Sequence, residues 1–208
     1  MPKKESPLIT LNEFVPEGSY DLLAHYIEKY KVHLTITQNR KSVLGNYRSK
    51  LYDKTHRISV NGTLNKYSFL ITLLHELAHL LTFEKYGHRI SPHGKEWKDE
   101  YSNILGEFIP FKLFPAEIEK VLLQSLRNPA ASSCADKDLM RVLRNYDPEK
   151  EGIVFVEELP VNSLFSLSDG RVFRKVEKVR TRYKCMEVPT GKMWLFSAVY
   201  EVKYIKVS

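Results

Sequence analysis

The segment from Lys66 to Tyr86 most limits the possible folds, because its sequence predicts a long helix without a solvent-facing side. Its apolar residues occupy nearly every side of that helix: Phe69, Leu70, Ile71, Leu73, Leu74, Leu77, Leu80, Leu81 and Phe83. A helix that is apolar all round is buried inside a protein. Asn65 is a suitable residue to cap its start, and Gly87 is a typical stop after its end. The chain is therefore predicted to fold around a buried central helix.

The central helix carries the sequence HELAH from His75 to His79. Two histidines four residues apart lie on one face of a helix, about one turn from each other. Their imidazoles can occupy two corners of a tetrahedron around Zn²⁺, at about 2.0 to 2.1 Å from the ion. Glu76 lies on the neighbouring side of the same turn, where it can reach a water on the metal without being a ligand. Because zinc lowers the pKa of such a water from about 15.7 to about 7, Glu76 is predicted to be the general base of a zinc-dependent hydrolase.

A structural explanation competes with this interpretation, since a bare H-E-x-x-H occurs by chance in many unrelated proteins. In that alternative, His75 and His79 are buried histidines that hydrogen-bond to the backbone. The surrounding helix is too apolar to lie on a surface, and a buried Glu76 between two histidines is costly unless a partner satisfies it. This burial argument favours the metal site.

A zinc site of this kind needs a third protein ligand. The metzincin pattern requires glycine at position 82 and histidine at position 85, and the chain has Thr82 and Lys85 there, so that class is excluded. A later glutamate is the ligand in gluzincins. The remaining candidates are two histidines and two glutamates on or before the next helix: His88, His93, Glu96 and Glu100.

His93 ranks first among these candidates, followed by His88 and then Glu100. Ser91 and Pro92 have the form of a helix start, which places His93 in the first turn of the following helix. The helix dipole disfavours a charged imidazole at that position, and a neutral ring is able to bind metal. His88 is expected to be an ordinary surface histidine.

The HELAH sequence is followed after a loop by HGKEW, from His93 to Trp97. This pair of motifs resembles the SprT-like family, whose signature is similar to H-E-x-x-H, a variable loop and H-G-x-x-[F/W]. The family includes bacterial SprT proteins and the eukaryotic protease Spartan. The resemblance extends upstream to a strand, Arg57–Asn61, that leads into the central helix. It covers roughly residues 15 to 110.

The resemblance implies that His93 is the third ligand of one Zn²⁺ ion, beside His75 and His79, and that Glu76 is the catalytic glutamate. It also implies a minimal zincin-like α+β metalloprotease domain. Family members of known activity cleave proteins, notably proteins crosslinked to DNA, and bind DNA. The expected function is therefore a zinc metalloprotease that hydrolyses peptide bonds in protein substrates, with DNA-associated proteins as the expected targets.

Two other functions stay open at this stage. One is a non-catalytic module that keeps zinc for stability and binds DNA or protein. The other is a metal-dependent amidase that acts on a small substrate. In the protease hypothesis, the strand Arg57–Asn61 is expected to lie at a sheet edge beside the central helix, where a substrate peptide can add as a further strand.

The pattern of short apolar segments predicts an α+β organisation. Further helices are predicted near residues 16–30, 115–126 and 138–146, and strands near 32–37, 43–47 and 57–60. After residue 152 the chain has short alternating segments separated by turn residues, which is typical of a small antiparallel β module. The predicted divisions are an arm at 1–15, the SprT-like domain at 16–126, a linker with a short helix at 127–151, and the ribbon-like β module at 152–208.

The β module contains the densest group of basic residues in a chain whose formal net charge is +7. Alternation along a strand places Arg171, Phe173 and Lys175 on one face. A cationic face with an aromatic side chain suits phosphate contact and base stacking. The predicted contacts to DNA are six basic residues: Arg171, Arg174, Lys175, Arg180, Arg182 and Lys184. A solvated face of a β module explains the same charges equally well.

The two cysteines, Cys134 and Cys185, are too few for the paired Cys-x-x-Cys motifs of a zinc ribbon, so no second zinc is expected in the β module. Reduced thiols favour a cytoplasmic protein. The densest apolar stretch, Phe69 to Leu74, has six residues, and a membrane span needs about 20. No signal peptide is recognised at the N-terminus. A soluble protein without a membrane partner is predicted.

Overall fold

The structure is a computed structural model that describes residues 8–38, 43–51, 54–126 and 136–206. The chain divides into two compact units, Met1–Asp147 and Pro148–Ser208. None of the described helices combines the length and the apolar character needed to cross a lipid bilayer. Both units together contain helices and two sheets, so the predicted α+β class is confirmed.

Among the residues that the structure describes, the first unit has a three-stranded sheet formed by β1 (His33–Thr37), β2 (Gly45–Arg48) and β3 (Arg57–Asn61). Their order is β1-β3-β2, with β1 parallel and β2 antiparallel to β3. The expectation of an edge strand at Arg57–Asn61 is therefore wrong, because strands pair with β3 on both sides. The edge strand beside the central helix is β2.

Five α-helices accompany the described sheet in the first unit: α1 (Tyr20–Lys29), α2 (Lys66–Tyr86), α3 (Lys95–Phe108), α4 (Ala116–Ser125) and α5 (Lys137–Arg144). Short 3-10 turns occupy Leu8–Glu13 and Ile109–Phe111. The predicted helices and strands of this unit are all present, with small shifts at their ends.

Helix α2 is the predicted central helix, and its burial is confirmed. Phe69, Leu73 and Leu77 are among several of its side chains with no exposed surface. The Asn65 side chain caps the helix by accepting a hydrogen bond of 2.9 Å from the Ser68 amide. At the other end, the chain leaves the helix at Gly87, which has a φ of 80°. The left-handed region favours glycine because it has no Cβ.

The division into units differs from the predicted boundaries in two places. Leu11 and Val15 are buried in the core of the first unit, so residues 8–15 are packed against the domain. Leu139 and Leu143 of α5 are buried in the same core. Helix α5 thus belongs to the first unit, although the sequence placed it in a linker. Residues 127–135, which include Cys134, lie outside the described residues.

The second unit is an antiparallel sheet, as predicted for this part of the chain. Within residues 148–206, the strands are β4 (Ile153–Phe155), β5 (Leu164–Ser166), β6 (Val172–Val179), β7 (Arg182–Glu187), β8 (Met193–Ser197) and β9 (Glu201–Ile205). They lie in the order β4-β9-β5-β6-β7-β8. The core includes Phe165, Phe173 and Phe196, and the buried Cys185 packs among them.

Candidate metal centre

The three candidate histidines come together from two segments of the first unit. His75 and His79 lie one turn apart in the middle of α2. His93 lies in the loop before α3, where its φ of 59° places it in the left-handed region. A non-glycine residue there is uncommon and is often held by its function.

The prediction that His93 lies in the first turn of a helix is wrong. Helix α3 begins at Lys95 with Gly94 as its N-cap. The Gly94 amide donates a hydrogen bond of 3.0 Å to the Ser91 carbonyl, so residues 91–94 form a tight turn ahead of the helix. This turn directs the imidazole of His93 back towards α2.

The Nε2 atoms of the three histidines form a small triangle. His79 and His75 are separated by 3.3 Å, His79 and His93 by 3.0 Å, and His93 and His75 by 3.2 Å between these atoms. Atoms about 2.0 to 2.1 Å from a common centre and at tetrahedral angles are about 3.3 to 3.4 Å apart. Hydrogen bonds explain the triangle poorly, because an N–H in the ring plane points at only one partner. The residues therefore fit a single tetrahedral metal ion.

Among the described residues, one group of histidine, cysteine or carboxylate side chains lies close enough together to share an ion, and it is this triad. The other candidate ligands lie elsewhere. Glu100 is buried and pairs with Lys85 at 2.6 Å. His88 is exposed, as expected of a surface histidine, and Glu96 is half-buried in the first turn of α3.

Aromatic rings enclose the triad on one side. The Trp97 ring lies 4.6 Å from that of His75 and 4.7 Å from that of His93, between centroids. Trp97 is buried, and Tyr101 stacks behind it at 5.0 Å. Because this wall removes water from the imidazoles, it favours their neutral form.

Burial lowers the pKa of all three histidines. For His75 it falls from the ordinary 6.5 to about 3, by burial first and then by the neighbouring His79 and His93. For His79 it falls to about 4, by burial and by His93. Burial also lowers the pKa of His93. The imidazoles are thus uncharged at neutral pH, which is the form that binds metal.

The metal-free protein should lose stability as the pH falls from 6.5 towards 4. In this range the unfolded chain binds protons at His75 and His79 that the folded protein does not bind, because the folded pKa values are about 3 and 4. The free energy of unfolding then decreases by about 1.4 kcal/mol per pH unit for each histidine. Urea unfolding in a chelator at several pH values measures this slope, and His79→Gln should reduce it by about 1.4 kcal/mol per pH unit. An unchanged slope in that variant would contradict the assigned cause.

Glu76 is 6% exposed and lies against the edge strand β2. A Cβ atom on Gly45 would lie 2.5 Å from Oε1 of Glu76 and 2.7 Å from Cγ2 of Thr72. The backbone of β2 therefore lies directly on the Glu76 carboxylate, and glycine is required for this contact. Sequence reasoning did not single out Gly45, although a glycine at a strand position can indicate the close approach of another group.

Tyr47 is a second residue of β2 that contacts the centre. Its ring stacks on that of His79, with centroids 6.3 Å apart and an interplanar angle of 3°. Its hydroxyl is 2.8 Å from Nδ1 of the buried His56. Nε2 of His56 lies 3.2 Å from Glu84, which pairs with Lys50 at 2.7 Å. This chain of contacts fixes the Tyr47 ring on His79. Neither His56 nor Glu84 was predicted from the sequence.

The predicted DNA contacts lie in the second unit, and Lys175 is wrongly assigned among them. Lys175 is 3% exposed, and its Nζ donates hydrogen bonds to the carbonyls of Glu157, at 3.2 Å, and Leu159. The same Nζ lies 4.0 Å from the centroid of the Tyr183 ring. Phe173 and Lys175 do share a face of β6, as predicted, but that face is the buried one.

Five of the six predicted basic residues keep some exposure. Arg171 pairs with Asp169 at 2.8 Å, and Lys184 pairs with Glu177 at 3.3 Å. Arg174 is exposed on β6, Arg180 at the turn between β6 and β7, and Arg182 on β7.

Comparison with known proteins points to one family. The model of the SprT-like family matches residues 9–117. Protein SprT of Vibrio parahaemolyticus is 38% identical over 69 residues, which are 31% of this chain and 41% of that protein. Protein SprT of Escherichia coli K12 is 42% identical over 57 residues, 26% of this chain and 34% of that protein. The chain thus aligns with less than half of the length of these relatives. No solved structure matches it.

The family match takes in the edge strand β2, the whole of α2 and the three histidines. It spans slightly more than half of the chain. The chain belongs to the SprT-like family.

Proposed function

We propose that the first unit is a zinc-dependent metalloprotease of SprT type, with a zincin-like fold, that hydrolyses peptide bonds in protein substrates. The observation that carries this proposal is the triangle of Nε2 atoms, 3.0 to 3.3 Å on each side, formed beside a buried glutamate. Membership of the SprT-like family supports it.

His75, His79 and His93 are the residues that would hold the ion. Imidazole nitrogens suit zinc, and catalytic zinc sites have three protein ligands where structural sites have four. The group formed by the described residues has three members, which favours a catalytic site over a structural one. Zinc held there supplies Lewis acidity, which lowers the pKa of water and polarises a carbonyl group.

Glu76 is the proposed general base. It would take a proton from the attacking water and later give it to the amine that leaves. The contact with Gly45 limits the positions of the carboxylate, so that Glu76 stays beside the histidines. The buried Trp97 ring shields the rings of His75 and His93, on which it packs, from water.

The edge strand β2 is the proposed binding surface for the peptide backbone. It lies at the end of the described sheet, and it packs on α2 beside Glu76. An extended peptide that adds to such an edge is held by main-chain hydrogen bonds, which make few demands on sequence. This arrangement favours protein substrates over the small amides that an amidase would take.

Zinc content and cleavage, measured on the same preparation, test this function. Elemental analysis should give one zinc per chain, and the protein should cleave an unfolded protein substrate. Cleavage should stop in a chelator and return when zinc is added. Bound zinc without any cleavage would instead favour the non-catalytic binding module. Cleavage that survives complete removal of zinc would contradict the proposed centre.

Association with DNA and a cytoplasmic location stay predictions from the sequence. Fewer basic side chains are free to bind DNA than the sequence predicted. Lys175 is buried, and Arg171 and Lys184 have acidic partners. Arg174, Arg180 and Arg182 are the exposed residues on which phosphate binding would depend.

A further inference from the structure

The imidazole of His79 is contacted by two aromatic rings that come from different elements. Trp97 of α3 packs on it with centroids 5.3 Å apart. Tyr47 of β2 lies nearly parallel to it, with an interplanar angle of 3°. Trp97 is 1% exposed and so is fixed by the surrounding core. Among the described residues, by contrast, β2 pairs with one strand and lies at the edge of the sheet. The position of the Tyr47 ring therefore depends on what holds its side chain.

A hydrogen bond anchors the outer end of the Tyr47 ring. Its hydroxyl lies 2.8 Å from Nδ1 of His56, which is 3% exposed and directly precedes β3. The ring of Phe83, from α2, packs edge-on against that of His56, with centroids 5.6 Å apart. Nε2 of His56 lies 3.2 Å from Oε1 of Glu84, which is also on α2. The contacts thus start on α2 at His79, pass through both strands' ends, and return to α2 at Glu84.

The direction of these hydrogen bonds follows from the charge on Glu84. A hydrogen bond from Lys50 lowers the pKa of Glu84, so its carboxylate is ionised at neutral pH and can only accept. Burial lowers the pKa of His56, so its ring is neutral. Nε2 of His56 then donates to Glu84, and Nδ1 accepts the proton of the Tyr47 hydroxyl. Because a hydroxyl has a single proton, Tyr47 has none left to donate to a substrate carbonyl while this bond is made.

We propose that Tyr47, His56 and Glu84 are positioning residues that hold the imidazole of His79 in the orientation in which it binds metal. The proposal rests on the zinc site of the proposed function, and it adds three residues outside the ligand set that determine how tightly the ion is held. An imidazole that is already held in place loses less conformational freedom on binding, so the affinity is higher. Groups that orient a metal ligand usually contribute about 10- to 100-fold to the affinity for the metal.

The affinity for zinc, measured by competition with a chelator, tests this role without any need for cleavage. Tyr47→Phe keeps the ring and removes the hydroxyl that anchors it, so the dissociation constant for zinc should rise by about 10-fold. Tyr26→Phe is the matched control, because it removes a hydroxyl of the first unit that donates to Glu107 instead. The control should bind zinc as tightly as the wild type. Unchanged affinity in Tyr47→Phe would overturn the proposal, even if cleavage became slower.

Two substitutions of Glu84 separate positioning from a general loss of stability. The side chain of Glu84 is 29% exposed, so neither substitution should prevent folding. Glu84→Gln keeps an oxygen that accepts from His56, and it should bind zinc as tightly as the wild type. Glu84→Ala removes that acceptor, so the proton of His56 can move to Nδ1 and the Tyr47 hydroxyl loses its own acceptor. Its dissociation constant for zinc should rise by about 10-fold. Equal affinities of the two variants would contradict the proposal.

The absorption spectrum of cobalt-substituted protein gives a second readout, because the bands of Co²⁺ respond to the arrangement of its ligands. Tyr47→Phe and Glu84→Ala should shift these bands, whereas Tyr26→Phe should leave them as in the wild type. Identical bands in all four proteins would refute a positioning role. If the expected changes in affinity and spectrum occur in a protein that cleaves nothing, the positioning role stands and the protease function alone fails.

Discussion

Glu76→Gln should lower the rate of peptide-bond cleavage by about 10²- to 10⁴-fold, which is the usual contribution of a general base. Glutamine has nearly the same shape as glutamate, so it can occupy the space beside Gly45. It has no carboxylate to accept a proton from water. The three histidines do not change, so the variant should keep one zinc per chain. Cleavage rates and elemental analysis on the same samples measure both effects.

Glu100→Gln is the matched control for this substitution. Glu100 is also a buried glutamate of the first unit, but its partner is Lys85, at 2.6 Å. Its variant should keep both zinc and activity. Full activity of Glu76→Gln would refute the general-base role. Loss of zinc from Glu100→Gln would show that the ligand set was assigned incorrectly.

Gly45→Ala should reduce cleavage by about 10²-fold while zinc remains bound. The new Cβ would lie 2.5 Å from Oε1 and 2.9 Å from Cγ of Glu76, closer than non-bonded atoms approach. Strand β2 is paired with β3, with Gly45 opposite Val60, so the side chain of Glu76 should move rather than the strand. A displacement of about 1 Å in a reacting group can reduce a rate by about 10²-fold. Cleavage kinetics and zinc content give the result.

Gly106→Ala provides the comparison, because a Cβ at Gly106 in α3 meets no atom within 4 Å. This substitution should leave cleavage unchanged and stabilise the helix by about 0.4 to 1 kcal/mol. If Gly45→Ala loses zinc together with activity, the contact supports the whole centre and not Glu76 alone. Unchanged cleavage by Gly45→Ala would mean that Glu76 tolerates the displacement.

The features that were predicted correctly from the sequence depend on local patterns. The apolar residues of α2 and its cap at Asn65 are encoded within one segment, and so are the two histidines one turn apart. The third candidate ligand could not be identified from a local pattern, because its position depends on the path of the loop before α3. Ser91 and Pro92 look like a helix start, but the Ser91 carbonyl accepts a turn hydrogen bond from Gly94, so the helix begins later. Local signals alone left His88, His93 and Glu100 open.

The features that were missed depend on residues far apart in the chain. The position of β3 between β1 and β2 is set by pairing across loops, which alternation within one strand does not reveal. Lys175 was assigned to the correct face of β6, but that face is buried. Its ammonium group donates hydrogen bonds to the carbonyls of Glu157 and Leu159 there. These partners are distant in sequence, so no sequence pattern predicts them.

The loop between α2 and α3 contains His93, and its residues Ile90 and Pro92 border a cleft of about 340 Å³ beside His79. An ion bound to His93 would tether this segment to α2 and so restrain that wall of the cleft. Because linkage between two ligands is reciprocal, a molecule bound in the cleft should in turn raise the affinity for zinc. The affinity for zinc and the affinity of the cleft for its occupant would then be thermodynamically coupled through this loop.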